Sequence, residues 1–545
     1  MPGFTPPQFL RALLNRAYFP TELPPVVTAK YFSEFCRDNY ASLRTDLGNF
    51  LRLTHPLSQL GLSLAITQNR GRIRQIISSK PHSVYSPDEN PSEGRAFAGL
   101  DFRRREIEAA RIGSQCEFVL RADISRFFYT AYTHSFQWAV LGKARAKEMF
   151  ATNRAALRDH WSASIDMALQ SCQSRETFGI PVGPDTSRVV AEILLAGGEN
   201  ESRLAQVLAG RPMVRVVDDY LIGFDTEQAA RTALARLREA LWSFNLQLND
   251  QKTGIFRSST VHREKWQLDF DYIKLAARNI EQQRRDIDHL NELALYHCNA
   301  TNSERPAIWA CRRIAELRYD NRNLGLILDV LFRLSRDFPS CVSHVVEFLI
   351  NNQARCGHPE HIPRVTSWLM HMISSHIQQF HDAEAAWCLV AAGVFQLHLT
   401  ERELHPDQGR PGPIVFAIIG LLTAWTGELS AFQVAVARDF RRAGPLSQHW
   451  LPLYEAVRRG WTKDAALIAG IRSQSTLSRV LDNGVTFLED RIFDAAAIDL
   501  RRRTFNRARV PTAEQRQVPG SKGSATQAVD ASVAKLITSL DLSYD

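Results

Sequence analysis

The chain has 545 residues, and 66 Lys and Arg against 58 Asp and Glu leave a formal charge of +8. With 45% apolar and 23% charged residues it can bury substantial cores, which excludes a globally disordered chain. No uncharged apolar run reaches the roughly 18 residues of a transmembrane helix, and the N-terminal MPGFTPPQFLRALLNRAYFP sets Pro and Arg where a signal peptide needs a continuous apolar stretch, so a cytoplasmic location without membrane attachment is expected. The 8 cysteines form no CxxC pair, hence neither a disulfide framework nor a zinc ribbon. Cys356, His358 and His361, with no clear fourth ligand, read as an ordinary inter-helix loop.

An N-terminal extension is assigned to 1–45 and a mixed segment to 46–115. Within the latter, ITQNRGRIRQIISSKP (66–81) reads as a strand pair turning at Gly71, and DFRRREIEAARIG (101–113) as a basic helix. Over 116–275 short β runs alternate with helices. Strands are expected at 116–122, 213–217 and 220–224, and helices at 154–172, 185–197 and 228–245, an α+β arrangement on an antiparallel sheet. From 276 to 510 strand signals vanish. Amphipathic segments at 306–318, 324–337, 342–354, 364–380, 383–397, 414–426, 430–443 and 451–460, separated by turns at Pro339, Pro359, Pro363 and Gly444-Pro445, predict an all-α domain, either HEAT-like or an irregular bundle. The remainder, 511–545, reads as a flexible tail with a short docking helix at 531–542.

The strongest local feature is Val216-Val217-Asp218-Asp219-Tyr220, two adjacent carboxylates between two apolar β runs. Burying such a pair is costly and the charges repel, so either solvent at a turn tip or a divalent cation must resolve the conflict. Asp123 ends the run CEFVLRA ahead of Ile124-Ser125-Arg126-Phe127-Phe128, and alone it would read as a helix N-cap. One carboxylate at a strand end and two on a neighbouring hairpin is also the layout that two Mg²⁺ about 3.5–4 Å apart require. Between these blocks, Gly179-Ile180-Pro181-Val182-Gly183-Pro184-Asp185 forms a rigid loop leading into a helix, and Lys252 follows in Asn249-Asp250-Gln251-Lys252.

In this order, LRADISRFF, GIPVGPDTS, VRVVDDYLIGF and LQLNDQKTGIF resemble motifs A to D of the reverse transcriptase palm, preceded by fingers over 46–115. The resemblance implies that Asp123, Asp218 and Asp219, with the Ile124 carbonyl, hold two Mg²⁺ ions (Mn²⁺ being the alternative). It places Phe128 at the gate that excludes a ribose 2′-hydroxyl, Lys252 at the pyrophosphate, Arg72, Arg74 and Lys80 at the triphosphate, and Gly183 and Pro184 in the loop that approaches the nucleotide. Val216 departs from the aromatic residue common at its position in bacterial members. The run from Tyr132 to Lys143, with Gly183 to Ser187, is similar to bacterial abortive-infection (K-type) and defence-associated reverse transcriptases. That branch implies a helical C-terminal domain, DNA synthesis from dNTPs in phage defence, a single-stranded DNA product, homo-oligomers, and protein priming, for which Tyr31, Tyr40 and Tyr544 are candidates. Whether a non-coding RNA supplies a template stays open.

Dense basic runs at Arg103-Arg104-Arg105, Lys143/Arg145/Lys147 and Arg501-Arg502-Arg503 are either nucleic-acid contacts or solvated helix faces. Trp161, Trp387, Trp425 and Trp450 read as core residues. Two alternatives remain: an RNA-dependent RNA polymerase, against which Phe128 argues, and a catalytically minor palm serving a helical nucleic-acid-binding scaffold, against which the three carboxylates argue.

Overall fold

The computed structural model describes residues 40–44, 50–54, 56–84, 102–173, 175–182, 184–260, 265–273, 279–317, 319–399, 412–427, 429–445 and 449–482. Among the described residues the chain is mostly helical with a small antiparallel sheet, and it divides into two compact units, one holding those from 52 to 260 and the other those from 265 to 482 with 41–44 and 50–51. The tail, its docking helix, Tyr31, Tyr544 and Arg501-Arg502-Arg503 lie outside the described residues. Tyr40 opens strand β1 (Tyr40–Arg44), ahead of β2 (Phe50–Thr54), and its side chain lies outside them too.

In the first unit the sheet has the order β4-β5-β3-β6, where β3 is Phe118–Asp123, β4 Met213–Val216, β5 Asp219–Phe224 and β6 Gly254–Arg257. Each strand is short and rich in β-branched and aromatic residues, and every pairing is antiparallel. Val119, Leu120 and Ala122 of β3 and Ile222 and Phe224 of β5 are buried. Leu120, Ala122, Ile222 and Phe224 join one cluster with Leu62, Ile165, Val190, Ile193, Leu194 and Leu237 from the surrounding helices, so the sheet is held rigid by apolar packing.

The strand pair expected over 66–81 is not formed. Helix α1 (Pro56–Gln68) runs almost directly into α2 (Arg70–Ser78), with Gly71 inside the second helix. The deciding signal is helical period: Ile73 and Ile77 fall four apart and are buried, whereas Arg70, Arg72 and Arg74 point to solvent. Gly71 makes no turn, and a side chain there would meet nothing. The helix expected over 154–172 is broken at His160, whose extended backbone (ψ 137°) separates Arg154–Asp159 from Trp161–Ser171.

Helix α3 (Phe102–Gln115), the short α4 (Phe127–Thr130) and α5 (Ser135–Leu141) surround the sheet together with α6 (Asp185–Glu199) and α7 (Glu227–Ser243). Helices α5 and α6 approach so closely that a Cβ on Gly197 would lie 2.4 Å from both Cα and Cβ of Ala139.

The second unit is a succession of helices from Lys265–Asp271 through Ile280–Thr301, Leu324–Asp337, Ile362–Gln378 and Pro413–Thr426 to Ser475–Asp482. Ring stacks such as Phe332 on Trp368 (4.8 Å, 8°) and Phe270 on Trp309 (4.6 Å, 9°) fill its interior. Trp450 is buried there, but Trp425 is 61% exposed, contrary to its reading as core. Among the described residues no helix is long and apolar enough to cross a membrane.

The Gly197 approach yields the first prediction. Gly197→Ala should destabilise the protein by about 1–3 kcal/mol, because the inserted methyl overlaps Ala139 backbone. Gly198→Ala, in open space, should instead be neutral or gain up to about 1 kcal/mol of helix propensity. Urea denaturation midpoints of the two variants check this contrast.

Candidate active site

The antiparallel register of β3 and β5 pairs Asp123 with Asp219, and Val216 of β4 also pairs with Asp219. Asp218 sits in the turn between β4 and β5, so the three carboxylates gather at one end of the sheet. The turn is tight: Val217 adopts φ +54°, a left-handed conformation that a β-branched residue takes only when its surroundings impose it. Backbone bonds lock the neighbourhood. Ile124 N–H donates to the Asp218 carbonyl (3.2 Å), Asn249 N–H to the Asp123 carbonyl (2.8 Å) and Ser125 N–H to that of Gln247 (2.8 Å), while Asp123 N–H donates to Thr253 Oγ1 (3.3 Å).

Among the described residues, two cations face this edge. Lys252 Nζ lies 3.4 Å from Asp123 Oδ2, and Arg105 Nη2, from α3, lies 3.0 Å from Asp219 Oδ2. Asp218 has no such partner among the described ion pairs; burial first, and then the charges of Asp123 and Asp219, push its carboxyl up to about 6 against an opposing backbone hydrogen bond. The described residues do not close into a ready-made cage of three or more metal donors. An open edge of hard carboxylate oxygens nevertheless suits Mg²⁺, which keeps much of its water and takes few protein ligands beside substrate phosphates. The negative charge that Asp123 and Asp219 add around a buried Asp218 is the property a divalent cation would relieve.

What fixes the turn is an ionic network with a fully buried centre that the sequence reading missed. Arg215, on β4, is 0% exposed. Its Nη1 and Nη2 donate to Glu192 (3.1 and 2.9 Å), its Nε to Glu199 Oε1 (2.8 Å), and Nη1 also to the Val217 carbonyl (3.1 Å), inside the carboxylate turn. Both glutamates lie on α6. Tyr220 Oη donates to Glu199 (3.1 Å), with His82 Nε2 at 2.9 Å and Lys80 Nζ at 3.5 Å from the same carboxylate. Residues 82–84 run beside β4, Arg215 N–H donating to the His82 carbonyl and Val84 N–H to that of Arg215, both at 2.9 Å. Burial alone would raise Glu199; Arg215, His82 and Lys80 outweigh it and hold that carboxyl down at about 2. The phenol of Tyr220 is pushed well up by burial and by Glu199.

Phe128, on α4, packs its ring edge-on to Phe127 (5.4 Å) against the main core. Its carbonyl accepts from Ile180 N–H (2.7 Å), tying the Gly179–Pro184 loop to α4. Gly179 is required there: φ is +83°, and a Cβ would press to 3.2 Å from the Tyr129 carbonyl oxygen. Pro184 caps α6 in extended conformation, and Gly183 lies outside the described residues.

The structure thus gathers Asp123, Asp218, Asp219 and Lys252, with Ile124 beside them. It engages the finger residues elsewhere: Arg72 donates to Asn69 (3.3 Å) and lies 5.9 Å from the Trp161 ring, Arg74 is exposed on α2, and Lys80 joins the Glu199 network and Asn200 (2.8 Å). The run Arg103-Arg104-Arg105 is divided as well. Arg104 donates to the carbonyls of Pro81 and Ser83, and Arg105 pairs with Asp219. Lys143 caps the Ser243 carbonyl and lies 4.4 Å from the Trp138 ring. The available signal for the network was an Arg three positions before Asp218 and two Glu seven apart on one helix face.

Residues 70–277 match the family described as "Reverse transcriptase (RNA-dependent DNA polymerase)". The chain therefore carries a reverse transcriptase domain, whose activity is RNA-directed DNA polymerisation by nucleotidyl transfer. Such domains generally use divalent metal ions, typically Mg²⁺. No curated protein matches the sequence. Similar solved structures include apo telomerase from Candida tropicalis (8% identity, TM-score 0.27, covering 68% of this chain and 69% of that one). Telomerase from Candida albicans in complex with a fragment of telomeric RNA is a second (12% identity, TM-score 0.25, 75% and 67%). Likeness at those scores is too slight to transfer anything from telomerase to this chain.

The network makes a prediction about acid stability. A carboxyl depressed in the fold stabilises it fully above the unfolded value, and that contribution is lost as pH falls toward about 2. Removing one member of a buried ionic cluster costs about 3–5 kcal/mol. Glu199→Gln should therefore be less stable than wild type at neutral pH by that order. The gap should narrow as pH is lowered below the ordinary glutamate range, as read from urea midpoints at stepped pH.

Proposed function

We propose that the protein is a Mg²⁺-dependent DNA polymerase that extends a primer with dNTPs at the β3–β5 edge and serves bacterial phage defence, as a member of the K-type abortive-infection group of reverse transcriptases. The observation that carries the polymerase reading is the register pairing of Asp123 with Asp219, with Asp218 in the adjoining turn.

In the proposed reaction Asp123 and Asp218 would hold two ions, assisted by Asp219 and the Ile124 carbonyl. When bound, such ions ease deprotonation of the attacking hydroxyl and offset charge on the α-phosphate and the leaving pyrophosphate. A primer 3′-hydroxyl, or a tyrosine hydroxyl, gives its proton to solvent as its oxygen bonds to the α-phosphorus and the bond to pyrophosphate breaks. Lys252, close to Asp123, donates the proton that pyrophosphate takes up. Phe128, fixed by Phe127 and the core, selects deoxyribose by leaving no room for a 2′-hydroxyl. Arg105, paired to Asp219 here, would be free to contact phosphate where a cation held by the aspartates offset that carboxylate. Arg72, Arg74 and Lys80 would reach the triphosphate only by leaving the partners they have here. Tyr31, Tyr40 and Tyr544 are the proposed priming residues, and the second unit is read as a HEAT-like array supporting homo-oligomers, a single-stranded DNA product and, where one is used, a non-coding RNA.

Purified protein incubated with each labelled dNTP or NTP and Mg²⁺, with and without template, tests this. Asp218→Ala should lose more than about 100-fold in incorporation, since loss of even an outer partner of a metal site costs about 10–100-fold. Phe128→Ala should raise NTP relative to dNTP use. Equal incorporation by wild type and Asp218→Ala would sink the enzymatic reading, and an unchanged phage titre on expressing cells the defence role.

A further inference from the structure

Beside α4 lies a ring cluster that nucleotidyl transfer leaves without a task. Phe178 is 56% exposed, although its ring has no polar atom to hold it in water. Its position is nonetheless rigid. On either side of it Thr133 N–H donates to the Thr177 carbonyl (2.8 Å), Gly179 N–H to that of Ala131 (2.7 Å) and Ile180 N–H to that of Phe128 (2.7 Å). Gln173 Nε2 adds bonds to the carbonyls of Glu176 (3.1 Å) and Gly179.

The ring is also backed. Tyr132 lies against it at 5.0 Å and 36°, with the Trp138 ring 5.5 Å behind Tyr132 and the edge of His134 at 5.0 Å. Asp166 holds His134 at 2.5 Å, and Trp138 packs on the main core. The result is a fixed aromatic surface with solvent on its outer side, on the loop whose next residues bond to the carbonyl of the proposed gate. Arg126 and Arg175, both exposed, lie on the same two segments, with Glu176 as the acid between Arg175 and the ring.

We propose that Phe178, backed by Tyr132, is a stacking platform for a nucleobase of the strand bound beside the active site. The proposal rests on the polymerase reading and adds a base-binding site to it. A flat, rigid, half-exposed ring suits any base, because every base presents a π-face. Template RNA and DNA primer or product share this chemistry.

Fluorescence anisotropy on the full chain distinguishes these sources, with labelled oligouridine, oligothymidine and an abasic DNA strand of equal length as probes. Phe178→Leu keeps an apolar contact with Tyr132 but loses the flat face. We expect it, like Phe178→Ala, to bind a base-bearing strand about ten-fold more weakly and the abasic strand unchanged, with Phe178→Trp matching wild type. Loss on the RNA probe alone assigns the platform to template, and loss on the DNA probe alone to primer or product. Wild-type affinity of Phe178→Leu for both base-bearing strands would overturn the platform. So would a changed oligomeric state with unchanged strand binding, which would give the ring to a protein interface. Wild type that incorporates dNTPs while Phe178→Leu binds normally refutes the platform alone. Absence of incorporation with a base-dependent loss at Phe178→Leu refutes the polymerase reading and leaves the platform standing.

Discussion

The first unit is organised around one buried guanidinium. Arg215 reaches two glutamates of α6 and, with the same side chain, a carbonyl inside the turn that carries Asp218. A buried ion cluster is poor evidence of net stability, because desolvation consumes much of its attraction. Its geometric effect is clearer. Bidentate pairing leaves Arg215 little freedom, so β4, α6 and the 82–84 segment are set relative to the carboxylate turn by charge-assisted bonds whose rearrangement would expose unpaired charge to a dry interior.

That constraint accounts for two local features that are unfavourable in isolation. Val217 holds a left-handed backbone, which costs free energy at a β-branched residue, and its carbonyl is the atom that Arg215 grips. Three carboxylates are brought to one sheet end although they repel, and burial first, then that repulsion, raise the Asp218 carboxyl. The surrounding fold imposes both, leaving an edge poised for positive charge. Arg105 and Lys252 supply some of it from α3 and from the segment after α7.

Much of the local structure was readable in advance. The strands containing Val119, Val214 and Ile222, and the helices at 185–199, 227–243, 324–337 and 413–426, follow the two periodicities of apolar residues and their Pro and Gly boundaries. The strand pair at 66–81 failed because Arg70, Arg72 and Arg74 alternate like a strand's outer face, while the longer Ile73–Ile77 spacing, helical and buried, decided the structure. Trp425 failed because an aromatic in an apolar helix gives no sign of which way it points. The aspartates were legible from their order along the chain, whereas Arg105 and Arg215 were not, since an isolated arginine carries no mark of its partner.

The excess of +8 illustrates the same division. The sequence by itself determined the alternation of strands and helices in the first half, the helices among the described residues of the second, and the order of the carboxylates and loop proposed as the site, because these depend on neighbours a few residues away. Only the tertiary structure decided that Asp123 faces Asp219 in register, that Lys80 and Arg215 serve a buried cluster rather than a surface, and that Phe178 stands exposed on a pinned loop. Those outcomes depend on which distant segments share a sheet edge or an interior, and pairing energies of that kind are set by burial and distance, which no spacing along the chain encodes.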